Sequence, residues 1–263
     1  MGLESKGHKS VGVSLPMKKS QSPKNFHDYC FVIYGAKGIG KTSLTAEFEN
    51  SLNFQWEPWR RNIELYMVPA AGEGLLTWLS FNKYVQEILK QKRFTTLVMD
   101  TIDKAYEACL KFVCNKRGCK HPNDKNDYGA TWTAIKDEFE QTFDLIRSLG
   151  YSIAFTSHEK EKPIGNNDDY MQACPSCSNS AFGYLKASTD AAFHYGYQKR
   201  ERVLTLSGFE EKWTSCQITN HFLHKDTGES IVAIKMGTNP KEAYERLRLA
   251  FDNELKAEFC TGD

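Results

Sequence analysis

Tyr29-Cys30-Phe31-Val32-Ile33-Tyr34, followed at once by Gly35-Ala36-Lys37-Gly38-Ile39-Gly40-Lys41-Thr42, is the stretch on which the fold turns. The first half is a continuous apolar run with β-branched and aromatic residues, as in a strand buried on both faces. The second half satisfies G-x-x-x-x-G-K-[ST] in full, and a helical stretch from Lys41 to about Asn50 follows it. Strand, glycine turn and helix in that order form a phosphate cradle: glycines let successive backbone N–H groups converge on an anion. Gly35, Ala36, Lys37, Gly38, Ile39, Gly40, Lys41, Thr42 and Ser43 are therefore the expected nucleotide contacts. Lys41 is placed to reach β- and γ-phosphates and the Thr42 hydroxyl to ligate Mg²⁺. Lys37 adds one charge inside the loop, most simply a solvated one.

Working outward, Phe94–Asp100 (FTTLVMD) is strand-like and ends in an acid. Asp100 is the expected second Mg²⁺ ligand, at the carboxyl edge of a sheet beside the phosphate loop. Its other reading is a helix cap, a role that Asp103 suits better. A water-orienting group is also needed for hydrolysis. Glu57, at the end of a short strand over Leu52–Trp56, and Glu73 are both candidates, and spacing does not choose between them. Tyr151–Thr156 (YSIAFT) is another apolar strand, so Thr156-Ser157-His158 stands where a polar side chain senses a γ-phosphate; a structural histidine fits as well.

Between these strands lie helices: residues 82–91, a stretch from Ile102 to Val113, and Trp132, Ile135, Phe139, Phe143, Ile146 and Leu149 at helical spacing closed by Gly150. Alternating strands and helices over 29–157 argue for an α/β fold with a mostly parallel sheet flanked by helices. Residues 159–183 are polar and read as a long mobile loop. Arg202–Leu206, Ile218–Leu223 and Ile231–Lys235 suggest antiparallel strands toward the C-terminus. Pro240 opens a closing helix.

Composition sets limits on all of this. The 263 residues carry 34 Lys+Arg against 33 Asp+Glu, are 40% hydrophobic and hold eight cysteines. Those values exclude a disordered, collagenous or disulfide-scaffold chain, and near-neutrality excludes a uniformly basic coat. Nucleic-acid contact, if made, comes from local basic surfaces. No stretch reaches the ~20 apolar residues of a membrane span. Residues 1–26 lack an apolar core, so no secretory signal is expected there, and Lys6 stands where a myristoylation signal wants Ser or Thr. The cysteines accordingly read as reduced thiols of a cytoplasmic protein. Five lysines (Lys6, Lys9, Lys18, Lys19, Lys24) mark 1–26 as a flexible basic arm. Cys174-Pro-Ser-Cys177 is half of a possible zinc site. Its other half would need Cys114, Cys119 and His121, and no second C-x-x-C exists.

In order, Val32–Thr42, Leu97–Asp103, Val113-Cys-Asn-Lys-Arg-Gly118 with His121-Pro122, Tyr128-Gly129, Trp132, Lys136–Phe139 and Ser157-His158-Glu-Lys160 resemble one family. It is that of the phage-encoded RecA-like ATPases, AAA-type phage nucleotide-binding proteins that include single-strand annealing recombinases. The resemblance spans roughly residues 28–200. It implies a RecA-like P-loop NTPase core over 27–239, a C-terminal helix over 240–263, ATP with Mg²⁺ as cofactor, and a homo-oligomer, ring or filament, that binds single-stranded DNA. A single-strand binding protein is a further implied partner, and the host bacterial cytoplasm the implied location. The family's Asp-Thr-Glu-Gly aligns with Gln55-Trp56-Glu57-Pro58, which favours Glu57 over Glu73 as the catalytic glutamate, though the Asp and Gly are missing. Lys41, Glu57, Asp100 and His158 then form the implied catalytic set. The post-sensor loop, here 159–183, implies DNA contact by Lys160, Lys162, Tyr170 and the nearby Lys186. Lys199, Arg200, Arg202, Lys212 and Lys235 are all eligible as a cation supplied to a neighbouring subunit's site. Two other readings stand beside this one: a nucleotide-gated binding module without turnover, and a P-loop kinase, although 159–183 contains no arginine for a kinase lid. No guanine-reading N-K-x-D motif is present.

Overall fold

The structure is a computed structural model that describes residues 17, 19, 22–58, 62–70, 73–91, 93–124, 126–164, 170–208 and 210–261. Most of the expected N-terminal arm lies outside the described residues. In chain order the elements are β1 (Phe31–Gly35), α1 (Lys41–Ala46), β2 (Ser51–Gln55), β3 (Met67–Val68), α2 (Trp78–Gln91), β4 (Thr96–Asp100) and α3 (Ile102–Lys116). There follow α4 (Ala130–Ser148), β5 (Ser152–Ile164), β6 (Tyr170–Pro175), α5 (Asn179–Ser188), β7 (Ala191–Gln198) and β8 (Glu201–Thr205). The chain ends with β9 (Ser215–Cys216), β10 (Ala233–Lys235), α6 (Pro240–Phe251) and β11 (Cys260–Thr261).

These strands form one sheet in the order β11-β10-β8-β7-β1-β5-β4-β2-β3, with β6 on β5 and β9 on β7. From β3 to β7 every pairing along that path is parallel. The pairings of β7 with β8, β8 with β10 and β10 with β11 are antiparallel. The expected α/β architecture, mostly parallel with antiparallel strands toward the C-terminus, is the one observed. Strand β5 is inserted between β1, which leads to the phosphate loop, and β4, which ends in Asp100.

Period-two alternation sorts the strand residues into two cores. Val32, Leu97, Met99, Ile153 and Phe155 face α2, α3, α4 and α5. Phe31, Ile33, Val98 and Ala154 face α1 and α6. Burial on both sides explains why these strands read as unbroken apolar runs. The first core centres on Phe143, whose ring meets those of Trp78, Phe81, Phe139, Phe155 and Tyr184. Among the described residues no helix is long and apolar enough to cross a membrane.

Several expectations are corrected. Helix α1 stops at Ala46, and Asn50, with a left-handed φ of 50°, turns the chain into β2. Helix α2 begins at Trp78, where Thr77 and Ser80 exchange hydrogen bonds at its start. Residues 159–183 are not one long loop: Glu159–Ile164 continue β5 and pair antiparallel with β6, and α5 follows. Phe26 belongs to the second core rather than the arm, packed on Phe31, Phe48 and Phe251. The closing segment 240–263 is helical only to Phe251, after which Cys260–Thr261 pair with β10. Residues 218–223 form no strand, since Asn220 and Phe222 both have positive φ.

Phe143 is fully buried, so Phe143→Ala is expected to cost about 3–5 kcal/mol. Urea unfolding should show a lowered midpoint at unchanged slope.

Candidate functional site

The carboxyl ends of β1, β2 and β4 and the middle of β5 meet at an open cleft lined by Lys37, Gly38, Gly40, Lys41, Thr42, Gln55, Glu57, Asp100 and His158, among others. Glycine is required at its floor. A Cβ on Gly35 would lie 1.9 Å from the Tyr195 carbonyl oxygen of β7, and Gly40 has φ +113°. The turn then delivers Lys41, Thr42 and Ser43 as the first residues of α1, whose N–H groups have no intrahelical acceptor. Because α1 is only six residues long, these local N–H groups matter more here than an accumulated helix dipole. Arg202 of β8 braces the turn from behind, donating from Nε to the Ile39 carbonyl at 3.1 Å.

Lys41 is 5% exposed, and its ammonium donates to the Gly35 and Ala36 carbonyls at 2.7 and 3.0 Å. Burial lowers its pKa, while Asp100, Asp103, Glu159 and Glu57 pull the other way. A desolvated cation with only carbonyl partners is ready for a phosphate.

Asp100 is 6% exposed and is held by three side chains. Thr42 Oγ1 and Gln55 Nε2 donate to its Oδ2 at 2.6 and 3.3 Å, and Thr156 Oγ1 donates to its Oδ1 at 2.6 Å. A hydroxyl and a carboxylate in direct contact at a phosphate loop are the hard oxygen donors that Mg²⁺ prefers, so these residues fit that ion. Glu57 stands at the mouth, its Oε1 3.0 Å from His158 Nε2 and 3.5 Å from Thr101 Oγ1. The structure therefore brings Lys41, Thr42, Asp100, Glu57 and His158 together. Glu73 instead accepts a hydrogen bond from the Ala70 N–H and is no part of the cleft lining.

Sequence reading missed Gln55 and gave Asp103 the wrong role. Thr101 occupies the N-cap position of α3 with no capping bond from its side chain, and Asp103 sits in the first turn. It accepts from Ser157 Oγ at 2.6 Å, Ser176 Oγ at 3.1 Å and the His158 N–H at 3.2 Å. An acid three residues past a strand end suits either role, and only the folded neighbours decide. The same junction carries a pair in which the exposed Glu159 places Oε2 2.8 Å from Nε2 of the buried His194.

Beyond the cleft, β5 and β6 form a ribbon. Its register sets Lys160 opposite Cys174, Lys162 opposite Gln172 and Ile164 opposite Tyr170. Lys160, Lys162 and Tyr170 thus share one face, with Glu159 and Glu161 on the other. Lys186 stands on α5 with its ammonium 4.4 Å from the Phe182 ring centre. Burial raises the Cys174 pKa, and Lys160, Lys162 and Lys186 all oppose that rise, so the three cations gather around one point. Lys160 also donates to the Cys177 carbonyl. Cys174 and Cys177 are buried, and among the described residues no three His, Cys, Asp or Glu are grouped to hold a metal ion. Of the cations considered for a neighbouring site, Arg202 is engaged at Ile39 and Lys235 donates to the Glu258 carbonyl. Lys199 and Arg200 are exposed at the β7–β8 turn.

A family model described as an AAA domain matches residues 27–227. No curated protein matches the chain. Among solved structures the chain is similar to a KaiC-like protein from the hyperthermophilic archaeon Pyrococcus horikoshii OT3. Identity is 12% and the TM-score 0.42, over 72% of this chain and 83% of that one.

Two outcomes are expected. Mg²⁺–ATP should raise the thermal midpoint of the wild type, and Lys41→Ala should abolish that rise. Burial holds the His194 imidazole below 6.5, so its protonation is disfavoured in the fold. That stability contribution is complete above 6.5 and is lost as pH falls toward the lowered folded value. Urea midpoints should therefore drop between about pH 7.5 and about pH 5.5, and drop less in His194→Gln.

Proposed function

The chain belongs to the AAA domain family, and from that premise we propose that it is a RecA-like ATPase that binds single-stranded DNA and promotes annealing or strand exchange in phage recombination. The observation that carries the nucleotide half is the direct Thr42–Asp100 hydrogen bond beside the buried Lys41 ammonium. Thr42 and Asp100 are the residues that would hold Mg²⁺, which neutralises phosphate charge when bound. Lys41 exchanges its two carbonyl acceptors for phosphate oxygens. Glu57 accepts a proton from, or orients, the attacking water, and His158 holds that carboxylate in place until nucleotide arrives.

The DNA half rests on the ribbon. Lys160 and Lys162 on one face neutralise backbone phosphates, and Tyr170, 69% exposed on the same face, offers a ring for a base. Asp103 joins the ribbon to the nucleotide cleft through Ser157, Ser176 and the His158 backbone, a physical route for ATP state to change DNA affinity. On this reading the working form is a cytoplasmic homo-oligomer, ring or filament, acting beside a single-strand binding protein. Lys199 or Arg200 supplies the cation to a neighbouring subunit.

One observation favours a second reading, a nucleotide-gated module without turnover. Gln55 replaces the expected acid and donates to Asp100, while Glu57 is occupied by His158.

ATP hydrolysis measured with and without an unstructured oligonucleotide separates the two. The recombinase reading expects DNA-stimulated turnover that Glu57→Gln lowers by about 100-fold or more with nucleotide binding retained. Nucleotide binding with no turnover in the wild type supports the module instead.

A further inference from the structure

We propose that the tip of the α3–α4 helical hairpin is a second contact surface for single-stranded polynucleotide, separate from the β5–β6 ribbon; the proposal rests on the DNA-binding reading above. Tyr106 packs on Phe139, and the Cys109 thiol donates to the Ile135 carbonyl, so α3 and α4 run antiparallel with residues 116–124 and 126–130 at the open end. At its other end α4 brings Arg147 to the Cys30 thiol, just before β1 and hence at the amino edge of the sheet. From there α4 rises about 25 Å, against about 17 Å for a five-residue strand. Its first turn therefore stands past the carboxyl edge, the end that also carries the phosphate loop and the ribbon.

What the tip displays is not explained by folding. Tyr128 is 101% exposed and holds a left-handed φ of 52°, unusual for an aromatic residue. Trp132, four residues on, is 39% exposed, with the His121 ring edge-on to it at 5.8 Å. Lys116, Arg117 and Lys120 are exposed around these rings.

The support beneath is fully engaged. Asp127 accepts from the Thr131 hydroxyl and N–H and pairs with Arg117, and Asp124 accepts from the Lys120 and His121 N–H groups. Trp132 Nε1 donates to Asn123, which fixes the ring. Both acids serve the turn as acceptors, and among the described residues the three cations around the rings outnumber them. Fixed aromatic faces among cations match one chemistry best: unpaired bases that stack, carried on a phosphate chain. A double helix would hide those base faces.

Anisotropy of a labelled oligo(dT) with the full chain tests this, using Tyr128→Ala and the double variant Lys116→Ala/Lys120→Ala, with nucleotide binding at the phosphate loop as the folding control. Tyr128 makes no buried contact, so its variant should fold normally. Affinity should fall about tenfold in Tyr128→Ala, the loss of one stacked base. The slope of log affinity against log salt should flatten by about 1.4 in the lysine variant, two phosphate contacts on a single strand. Wild-type binding that both variants match within about twofold overturns the tip surface and leaves the ribbon reading standing, a result that a protein partner at the tip would also give. A wild type that binds no oligonucleotide overturns both.

Discussion

A carboxylate removed from water has to be paired, and Asp100 is the point at which that requirement organises the molecule. Its two oxygens are satisfied by Thr42 from α1, Gln55 from β2 and Thr156 from β5. Each donor reaches it only if its own element ends at the correct level. The parallel register that sets Gln55 opposite Asp100 and the strand β5 that intervenes between β1 and β4 both serve that convergence. Loss of any one donor leaves buried charge short of a partner, a far larger penalty than loss of a surface ion pair. The ordering of strands and the chemistry of the cleft are thus one constraint rather than two.

A second shell of polar contacts grows from the same corner. Asp103, in the first turn of α3, fastens β5 to the residue that follows β6, and His158 turns from that fastening toward Glu57. Nucleotide side and ribbon side therefore share residues two or three bonds apart, without a long pathway. Any change in what Glu57 contacts must be felt at His158, whose N–H is bonded to Asp103. The proposed coupling between ATP and a polymer on the ribbon rests on this closeness.

Much of this was legible in the sequence because burial on both faces writes an unmistakable signature. The runs that became β1, β4 and β5 are apolar without interruption, and the glycine spacing of residues 35–40 admits one kind of turn. The α4 pattern from Trp132 to Leu149 gave its helix to within two residues. What failed to show lies where the chain leaves the two cores. Glu159–Ile164 alternates charge with charge, so nothing marks a strand until β6 supplies its hydrogen bonds. The C-terminal strands β9 and β11 are two residues each, too short for any periodicity. Gln55 and Asp103 were invisible for another reason: a polar residue near a strand end has many possible uses, and its partners here come from 45 and 54 residues away.

The charge balance of 34 against 33 acquires meaning only once the register is known. Along β5, Glu159, Lys160, Glu161 and Lys162 cancel in a composition count, yet strand geometry sends the lysines to one face and the glutamates to the other. At the α3–α4 tip the acids serve as acceptors for backbone N–H groups, a hydroxyl and Arg117, and the exposed Lys116, Arg117 and Lys120 outnumber them around the rings. A neutral chain can in this way present two basic aromatic surfaces on the same end as its phosphate loop. Sorting charge by strand parity and turn geometry keeps the long-range field weak. On the proposed reading a polyanion is held only where both surfaces can be reached at short range, within about one Debye length of the lysines.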